Sequence, residues 1–168
     1  ENLRALLEEA VTFYRHQLFN TPAGKQALDY LVQKRGLKME TLEVFGIGYA
    51  PNAWDAMLNY FDAKGYSAAD LLAAGLVTER EAGKGQPGAA QKANVYDRFR
   101  HRVMFPIRDA NGRMTGFGAR ILDPNDMPKF LNSPQTALFD KSHLLYGLNL
   151  ARKPIREQNQ VVIVEGYL

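Results

Sequence analysis

The feature that most constrains this chain is an Asn-Gly pair between two stretches that alternate like β-strands. Residues 103–109 and 113–122 flank the turn 109–112, in which Asn111 and Gly112 can supply the positive φ angles of a tight hairpin turn. A short turn of this kind joins antiparallel neighbours. The sequence therefore predicts a β-hairpin in the second half of the chain.

Before the hairpin, apolar residues follow the spacing of helices instead. In residues 2–19 they recur at three- and four-residue intervals, the period of a helix with one buried face. Cap and stop signals predict four further helices: one from Thr21-Pro22 to Gly36, and others at 39–45, 53–64 and 68–74, the last capped by Ser67 and Asp70. Residues 1–77 are therefore predicted to be the helical part of an α+β fold.

Residues 78–95 are predicted to form a flexible surface loop. The segment 78–94 holds three glycines, one proline and almost no large apolar side chain, so it cannot anchor a core. A basic, β-rich part then covers residues 96–160, with a short helix at 144–157 that follows Gly147.

A continuous apolar, β-branched run lies near the end of the sequence: Val161, Val162, Ile163 and Val164. Such a run predicts a strand that is covered on both faces. Because an ordered domain rarely ends just past a buried strand, we expect the 168 residues to be a fragment of a longer protein. Residues 161–168 would open a second subdomain.

Positive charge is concentrated in the second half. The chain has 21 Lys and Arg against 18 Asp and Glu, yet six arginines and a single acid, Asp109, lie between Arg98 and Arg120. This imbalance favours a polyanionic partner, nucleic acid first. No apolar run reaches the roughly 20 residues of a membrane span, so we expect a cytosolic protein. The absence of cysteine excludes disulfides and thiolate zinc sites within the chain.

A single strand over residues 98–108 would divide its side chains between two faces. One face would be core, and the other would carry four arginines: Arg98, Arg100, Arg102 and Arg108. Pro106 cannot donate to a ladder, so we expect an edge or a bulge there. In the partner strand, Gly116 and Gly118 either leave backbone open to a ligand or relieve crowding against a neighbouring element. The sequence leaves both readings open.

Two lysines, a phenylalanine and a glutamate are further candidates for a site. Lys129 and Lys141 can hold phosphates as mobile charges. Phe130, beside the first, could stack a base, although burial preferences favour the core for Phe130 and Phe139. Glu165 follows the apolar run directly, and an acid at the end of a strand is a candidate metal ligand or general base. A structural acid is the commoner case at such a position.

Several blocks, taken together and in order, resemble bacterial DnaG-type DNA primases. They are YDRFRHRVMFPIRD at 96–109, GFGAR at 116–120, PKFLNSP at 128–134, FDK at 139–141, LYG at 145–147 and VEGY at 164–167. The first half matches more loosely, through KRGL at 34–37, GIGYAP at 46–51 and Trp54. The resemblance covers nearly the whole chain.

The resemblance implies a DNA-directed RNA polymerase that makes short RNA primers for replication. Its core would join a basic amino-terminal subdomain to a Toprim fold, whose first strand would be the run at 161–164. The family's basic residues for template and nucleotide match Arg35, Arg120, Lys129 and Lys141, to which the basic face adds Arg98 and Arg102. Glu165 matches the Toprim glutamate, a proposed general acid or base, and would bind Mg²⁺ or Mn²⁺ with acids beyond residue 168.

The implied partners are single-stranded DNA template, ribonucleoside triphosphates, the RNA–DNA primer duplex and the replicative helicase. The helicase would bind through a separate carboxyl-terminal domain, and zinc would belong to a cysteine-rich domain before residue 1. We expect a monomer in the bacterial cytoplasm, at the replication fork. Ala119 and Phe130 stand where the family pattern suggests Gly and Tyr, and the 78–95 loop is long for the family.

Two other functions remain open. A non-catalytic module that binds single-stranded nucleic acid would explain the basic residues without Glu165. Another Toprim protein is a third possibility, which the GFGAR and PKFLNSP blocks disfavour. In the primase interpretation, this fragment alone should bind template but not synthesise primers.

Overall fold

The computed structural model describes residues 2–81 and 94–168. The α-helices are α1 (Asn2–Asn20), α2 (Pro22–Asp29), α3 (Met39–Val44), α4 (Ala56–Asp62), α5 (Ala68–Ala73) and α6 (Leu148–Gln158). A π-helical turn at Tyr30–Lys34 extends α2, and a 3₁₀ turn spans Lys141–His143. The strands are β1 (Gly48–Ala50), β2 (Val77–Glu79), β3 (Val95–Asp97), β4 (Arg102–Arg108), β5 (Met114–Ile121) and β6 (Phe130–Asn132). The predicted α+β class, with a helical first half, is confirmed.

The predicted hairpin is the centre of the main sheet. Four antiparallel strands lie in the order β1-β4-β5-β6, while β2 and β3 form a separate pair. In the hairpin turn only Gly112 has a positive φ (+83°), so the expectation for Asn111 is wrong. The Asp109 carboxylate instead accepts the backbone N–H groups of Asn111 and Arg113, at 2.9 and 3.0 Å. This side-chain bonding closes a longer turn than a two-residue Asn-Gly loop.

Both faces of β4 are buried. Met104 packs with α1, α4 and α5 in one core cluster, whereas Val103 and Phe105 pack with the end of α1, α2 and α3 in the other. Because successive residues of a strand point to opposite faces, one strand serves both clusters. The expected row of arginines on one face of this strand is therefore wrong.

The single strand predicted over residues 98–108 is broken. Residues 98–101 connect β3 to β4 without joining either, and His101 has a φ of +51°, which L-residues rarely adopt. This kink ends the alternation that would have aligned Arg98 and Arg100 with Arg102. Pro106 does lie beyond the three residues that β1 pairs with, and the β4–β5 register shifts at Ile107/Arg108. The expected edge or bulge is confirmed.

Helix boundaries agree with the cap signals. The Ser67 hydroxyl accepts from the Asp70 N–H at 3.2 Å, while the Asp70 carboxylate accepts from the Ser67 N–H at 2.8 Å, so the capping box is present. The Thr21 hydroxyl caps α2 by accepting the Gly24 N–H at 3.0 Å. Gly36 follows the π-helical turn with a φ of +68°. These ends form where local side chains satisfy the first free N–H groups of a helix.

The predicted 78–95 loop is too wide at both ends. β2 continues to Glu79 and β3 begins at Val95, and their antiparallel pairing holds the two ends together. Residues 82–93 of the predicted loop lie outside the described residues.

The strand predicted at residues 161–164 is absent. These four residues adopt no regular structure and are 54–77% exposed. A strand needs a hydrogen-bonded neighbour, and within residues 2–81 and 94–168 no strand pairs with this segment. Those same ranges contain no helix long and apolar enough to cross a membrane.

Candidate nucleic-acid interface

Three arginines at alternate positions, Arg98, Arg100 and Arg102, meet at one cavity. The cavity, of about 420 Å³, is lined by the side chains of Arg98, Arg100, Arg102, His101, Trp54 and Tyr96, with Pro128 and its neighbours closing one side. We call it the arginine cavity. It forms because the kink at residues 98–101 turns these side chains towards the segment after β1 and the segment before β6.

An exposed indole forms one wall of the arginine cavity. Trp54 is 58% exposed, and its ring lies 4.0 Å from the guanidinium carbon of Arg100. Tyr96 meets the indole edge-on, with ring centroids 5.4 Å apart, and also lies 5.2 Å from Arg100. A large aromatic face beside several cations suits a base and its phosphate together.

Backbone carbonyls hold the other two arginines. Arg98 donates from Nε and Nη2 to the Asn132 carbonyl, at 3.2 and 2.8 Å. Arg102 is buried and donates from Nη1 to the Pro128 carbonyl at 2.8 Å. Burial lowers the pKa of both guanidinium groups, which stay protonated because arginine titrates far above neutral pH. Their unused N–H groups are positioned in advance for an anion.

His101 connects the arginine cavity to the core. Its Nδ1 lies 2.9 Å from the hydroxyl of Tyr49, a residue that is 1% exposed and whose pKa burial raises. Its backbone N–H donates to the Pro51 carbonyl at 3.3 Å. These contacts hold the positive φ of His101, and strained backbone of this kind clusters at functional sites.

The remaining arginines of the block are used elsewhere. Arg108 forms an ion pair with Glu8, with Nη2 and Oε2 at 3.0 Å, and Arg113 pairs with Asp109 at 2.9 Å. The six arginines therefore do not form one continuous basic surface. A tertiary partner, Glu8, holds Arg108 away from it, and the turn residue Asp109 holds Arg113.

A second basic surface surrounds an exposed phenylalanine. Phe130 is 38% exposed, so the expectation that it lies in the core is wrong, while Phe139 is 3% exposed, as expected. The guanidinium of Arg120 lies 5.1 Å from the Phe130 ring and the Lys129 ammonium 5.8 Å. The buried Nε of Arg120 has no hydrogen-bond partner among the described residues. We call these three residues the Phe130 surface.

Tyr167 fills the space above Gly118. A Cβ built on Gly118 would overlap the Tyr167 phenol, and one built on Gly116 would lie 2.7 Å from the Ser133 hydroxyl. The Tyr167 ring stacks on Phe105 at 4.8 Å, and its hydroxyl donates to Asn132 Oδ1 at 2.9 Å. The crowding interpretation of both glycines is therefore correct in this structure.

Three predicted site residues lie apart from these surfaces. Arg35 is half-buried at the end of the π-helical turn, where its backbone N–H donates to the Tyr30 carbonyl at 3.0 Å. Lys141 is exposed at the start of the 3₁₀ turn, and Glu165 is exposed after residues 161–164. No hydrogen bond or ion pair within residues 2–81 and 94–168 joins these three to the arginine cavity or the Phe130 surface.

The acids of the described residues do not form a metal site. No group of three or more His, Asp or Glu side chains comes together within residues 2–81 and 94–168. Glu165 contributes one exposed carboxylate, whereas magnesium needs further carboxylates or phosphates. The residues present therefore do not fit a divalent cation by themselves.

Three residues that line the arginine cavity are not among those that the sequence predicted to bind nucleic acid: Trp54, Tyr96 and Arg100. The available signal was compositional, since Trp54 is the single tryptophan of the chain and Arg100 lies in the densest arginine run. Their proximity depends on the β2–β3 pair and on the kink before β4, which no local pattern indicates.

Comparison with known proteins finds a family that the chain matches. Residues 13–152 match the family of the DNA primase catalytic core, N-terminal domain. The DNA primase of Salmonella typhimurium is 45% identical over 168 residues, which are all of this chain and 27% of that protein. The chain thus spans about a quarter of the length of this relative.

Two solved structures have the same fold. The RNA polymerase domain of the Mycobacterium tuberculosis primase DnaG superposes with a TM-score of 0.85 and 34% identity, over 99% of this chain and 50% of that one. The DnaG primase catalytic domain bound to single-stranded DNA gives a TM-score of 0.81 and 42% identity, over 98% and 47%.

Proposed function

The chain belongs to the family of the DNA primase catalytic core, N-terminal domain, and we propose on that basis that it is the template-binding part of a DNA-directed RNA polymerase. The whole polymerase would synthesise short RNA primers for DNA replication. Within it, this chain would bind single-stranded DNA and present it to the reacting groups.

The arginine cavity is the observation that carries this proposal. It combines an exposed indole with three guanidinium groups, each of which donates to a backbone carbonyl. A nucleic-acid strand needs both features, because its bases stack on aromatic rings and its phosphates bind cations. The related DnaG catalytic domain in complex with single-stranded DNA supports the same ligand class.

The Phe130 surface would contact a second part of the substrate. Lys129 is exposed and can follow a phosphate, while Arg120 is fixed by its stacking on Phe130. We assign to this surface, with Lys141, the incoming ribonucleoside triphosphate or the growing RNA–DNA duplex. Glu165 would act as the general acid or base of the reaction. Because its single carboxylate does not make a metal site, no step is assigned to Mg²⁺ or Mn²⁺ in this chain.

The proposal for the whole protein is broader. It would act at the replication fork in the cytoplasm, with the replicative helicase as a partner. A non-catalytic binding module is the second candidate, because no group of three or more His, Asp or Glu side chains that could hold a metal ion occurs within residues 2–81 and 94–168. Primer synthesis by a longer protein that contains this chain would exclude it.

Binding of single-stranded DNA tests the proposal directly. The Arg100→Ala substitution removes the cation stacked on Trp54, and we expect the dissociation constant to rise by about tenfold or more, since hydrogen bonds to charged groups contribute roughly 1.5–3 kcal/mol. The log–log salt slope should also become shallower by about 0.7 if one phosphate contact is lost. Fluorescence anisotropy of a labelled oligonucleotide measures both.

Arg156→Ala is the matched control for charge, because Arg156 is exposed on α6 and does not line the arginine cavity. An equal loss of affinity in both variants would mean that binding follows net charge alone. In that case the arginine cavity would lose its assignment.

Replacement of Arg35 by lysine distinguishes a structural role of this residue from a functional one. A cation near a helix end stabilises it by roughly 0.3–1 kcal/mol, and lysine does this nearly as well as arginine. A guanidinium that holds a phosphate with two parallel hydrogen bonds is poorly replaced by lysine. In the complete polymerase, Arg35→Lys should change the unfolding free energy by less than about 0.5 kcal/mol. Primer synthesis should fall by about tenfold, measured with a radiolabelled nucleotide; normal synthesis would leave Arg35 as a helix-end charge.

A further inference from the structure

We propose that Asp97 is a positioning residue of the arginine cavity, which holds the Trp54 indole and the Arg100 guanidinium in the arrangement that receives single-stranded nucleic acid. This inference rests on the proposed function of the cavity. Asp97 itself is 3% exposed and does not line the cavity, so it would act through its two neighbours rather than through the ligand.

The Asp97 side chain caps a helix from another segment of the chain. Oδ2 accepts the Met57 N–H at 2.7 Å, and Oδ1 accepts the Leu58 N–H at 3.2 Å. Met57 and Leu58 are the second and third residues of α4, whereas Asp55 occupies the N-cap position without a side-chain cap bond. Asp97 therefore replaces the missing local N-cap, and it connects the start of α4 to β3.

The Asp97 backbone holds the two residues of the cavity wall. Its N–H donates to the Trp54 carbonyl at 2.8 Å, and its carbonyl accepts from Nη1 of Arg100. Arg100 then stacks on the Trp54 ring at 4.0 Å, which closes a three-residue ring of contacts. Since the indole is more than half exposed, burial alone does not fix it. Its position depends on the segment 54–58, which Asp97 holds at both ends.

A buried carboxylate costs free energy unless it is hydrogen-bonded and paired with an opposite charge. Burial raises the pKa of Asp97 to about 6, while the N–H groups of Met57 and Leu58 oppose that rise, as does the charge of Arg100. A purely structural cap could be supplied at lower cost by Asp55, the residue already at the N-cap position. The long-range cap differs from a local one in what it brings together, namely Trp54 and Arg100.

The Asp97→Asn substitution tests this role. It keeps the size of the side chain but turns an amide donor towards a backbone N–H. We expect acrylamide to quench Trp54 more strongly, since a weakened cap at the start of α4 lets the indole move away from the Arg100 guanidinium, which uncovers one face of the ring. We also expect the dissociation constant for a single-stranded oligonucleotide to rise about fivefold or more, because base stacking contributes roughly 1–3 kcal/mol per base. As the only tryptophan in the chain, Trp54 reports this site alone.

Asp70→Asn is the matched control, since it weakens the cap of α5, a helix of similar length, without contacting Trp54 or Arg100. It should lower thermal stability while leaving Trp54 quenching and DNA affinity unchanged. Combining Asp97→Asn with Trp54→Ala should weaken binding no further than Trp54→Ala alone, because the first change would act through the position of the indole.

The outcomes are distinguishable. If Asp97→Asn lowers stability but leaves quenching and affinity at the wild-type values, its role is structural and the proposal is overturned. If quenching changes but the wild-type chain binds no oligonucleotide, the positioning role holds and the proposed function fails. Should Asp97→Asn not fold, Asp97→Ser, whose hydroxyl can accept one of the two N–H groups, replaces it with the same readouts. Failure of both variants to fold would also assign Asp97 to stability alone.

Discussion

Replacing Glu165 by glutamine in a polymerase that contains this chain is expected to reduce primer synthesis by about a hundredfold or more, the usual range for loss of a general acid or base. Glutamine keeps the shape of the side chain but can neither accept the proton of an attacking hydroxyl nor carry a negative charge. Glu165 is exposed, so the fold should not change. The arginine cavity is untouched, so single-stranded DNA should bind with wild-type affinity.

Synthesis on a defined template and anisotropy of a labelled oligonucleotide measure the two properties separately. Glu157→Gln serves as the control for lost negative charge, since Glu157 is exposed on α6, where its carboxylate lies 3.8 Å from Lys153. Wild-type synthesis by the Glu165→Gln protein would remove Glu165 from the reaction. Equal losses in both variants would point to overall charge instead.

Local patterns were sufficient for much of the fold. The hairpin and the capped helices depend on interactions within a few residues, such as the bonds between Ser67 and Asp70. Short strands are harder to predict from the sequence, because a three-residue strand such as β6 exists only where β5 lies beside it. The strand predicted at residues 161–164 is absent for the same reason. A pattern of apolar residues indicates that a segment can pair, but not that a partner strand is present.

The site could be predicted only in part. The arginine block contains the three guanidinium groups of the arginine cavity, but the directions of Arg98 and Arg102 are decided by distant groups. Arg98 donates to a carbonyl 34 residues away and Arg102 to one 26 residues away. Trp54 and Arg100, which make the aromatic wall, are brought together by Asp97 across a gap of more than forty residues. Alternation along one strand contains no information about such contacts.

Gly118→Ala is the second substitution with a large expected effect. Gly118 pairs with Phe105 on one side and with Asn132 on the other, and Tyr167 contacts all three of these residues. The Tyr167 ring lies where the new methyl group of residue 118 would point. The phenol must therefore move away, which loses the stacking on Phe105 and the bond to Asn132.

We expect Gly118→Ala to lower the unfolding free energy by roughly 1–3 kcal/mol, the usual cost of overpacking a buried position. Denaturation in urea measures this loss. Tyr167→Phe removes only one hydrogen bond and should cost about 1 kcal/mol. Limited proteolysis should then show faster cleavage within residues 161–168 in the alanine variant, because Tyr167 is the side chain that stacks this segment against β4.

A double-mutant cycle tests whether crowding against Tyr167 causes the loss of stability in Gly118→Ala. In a Tyr167→Ala background the three ring atoms nearest to the added methyl group are gone, so this group should be neutral, or slightly stabilising through the unfolded state. An undiminished penalty in that background would mean that Gly118 is needed for some other reason. Glu165 lies only two residues before Tyr167, and two residues span at most about 7 Å. Displacement of the tyrosine should therefore also move this carboxylate, and Gly118→Ala in the complete polymerase should lower primer synthesis while the arginine cavity still binds template.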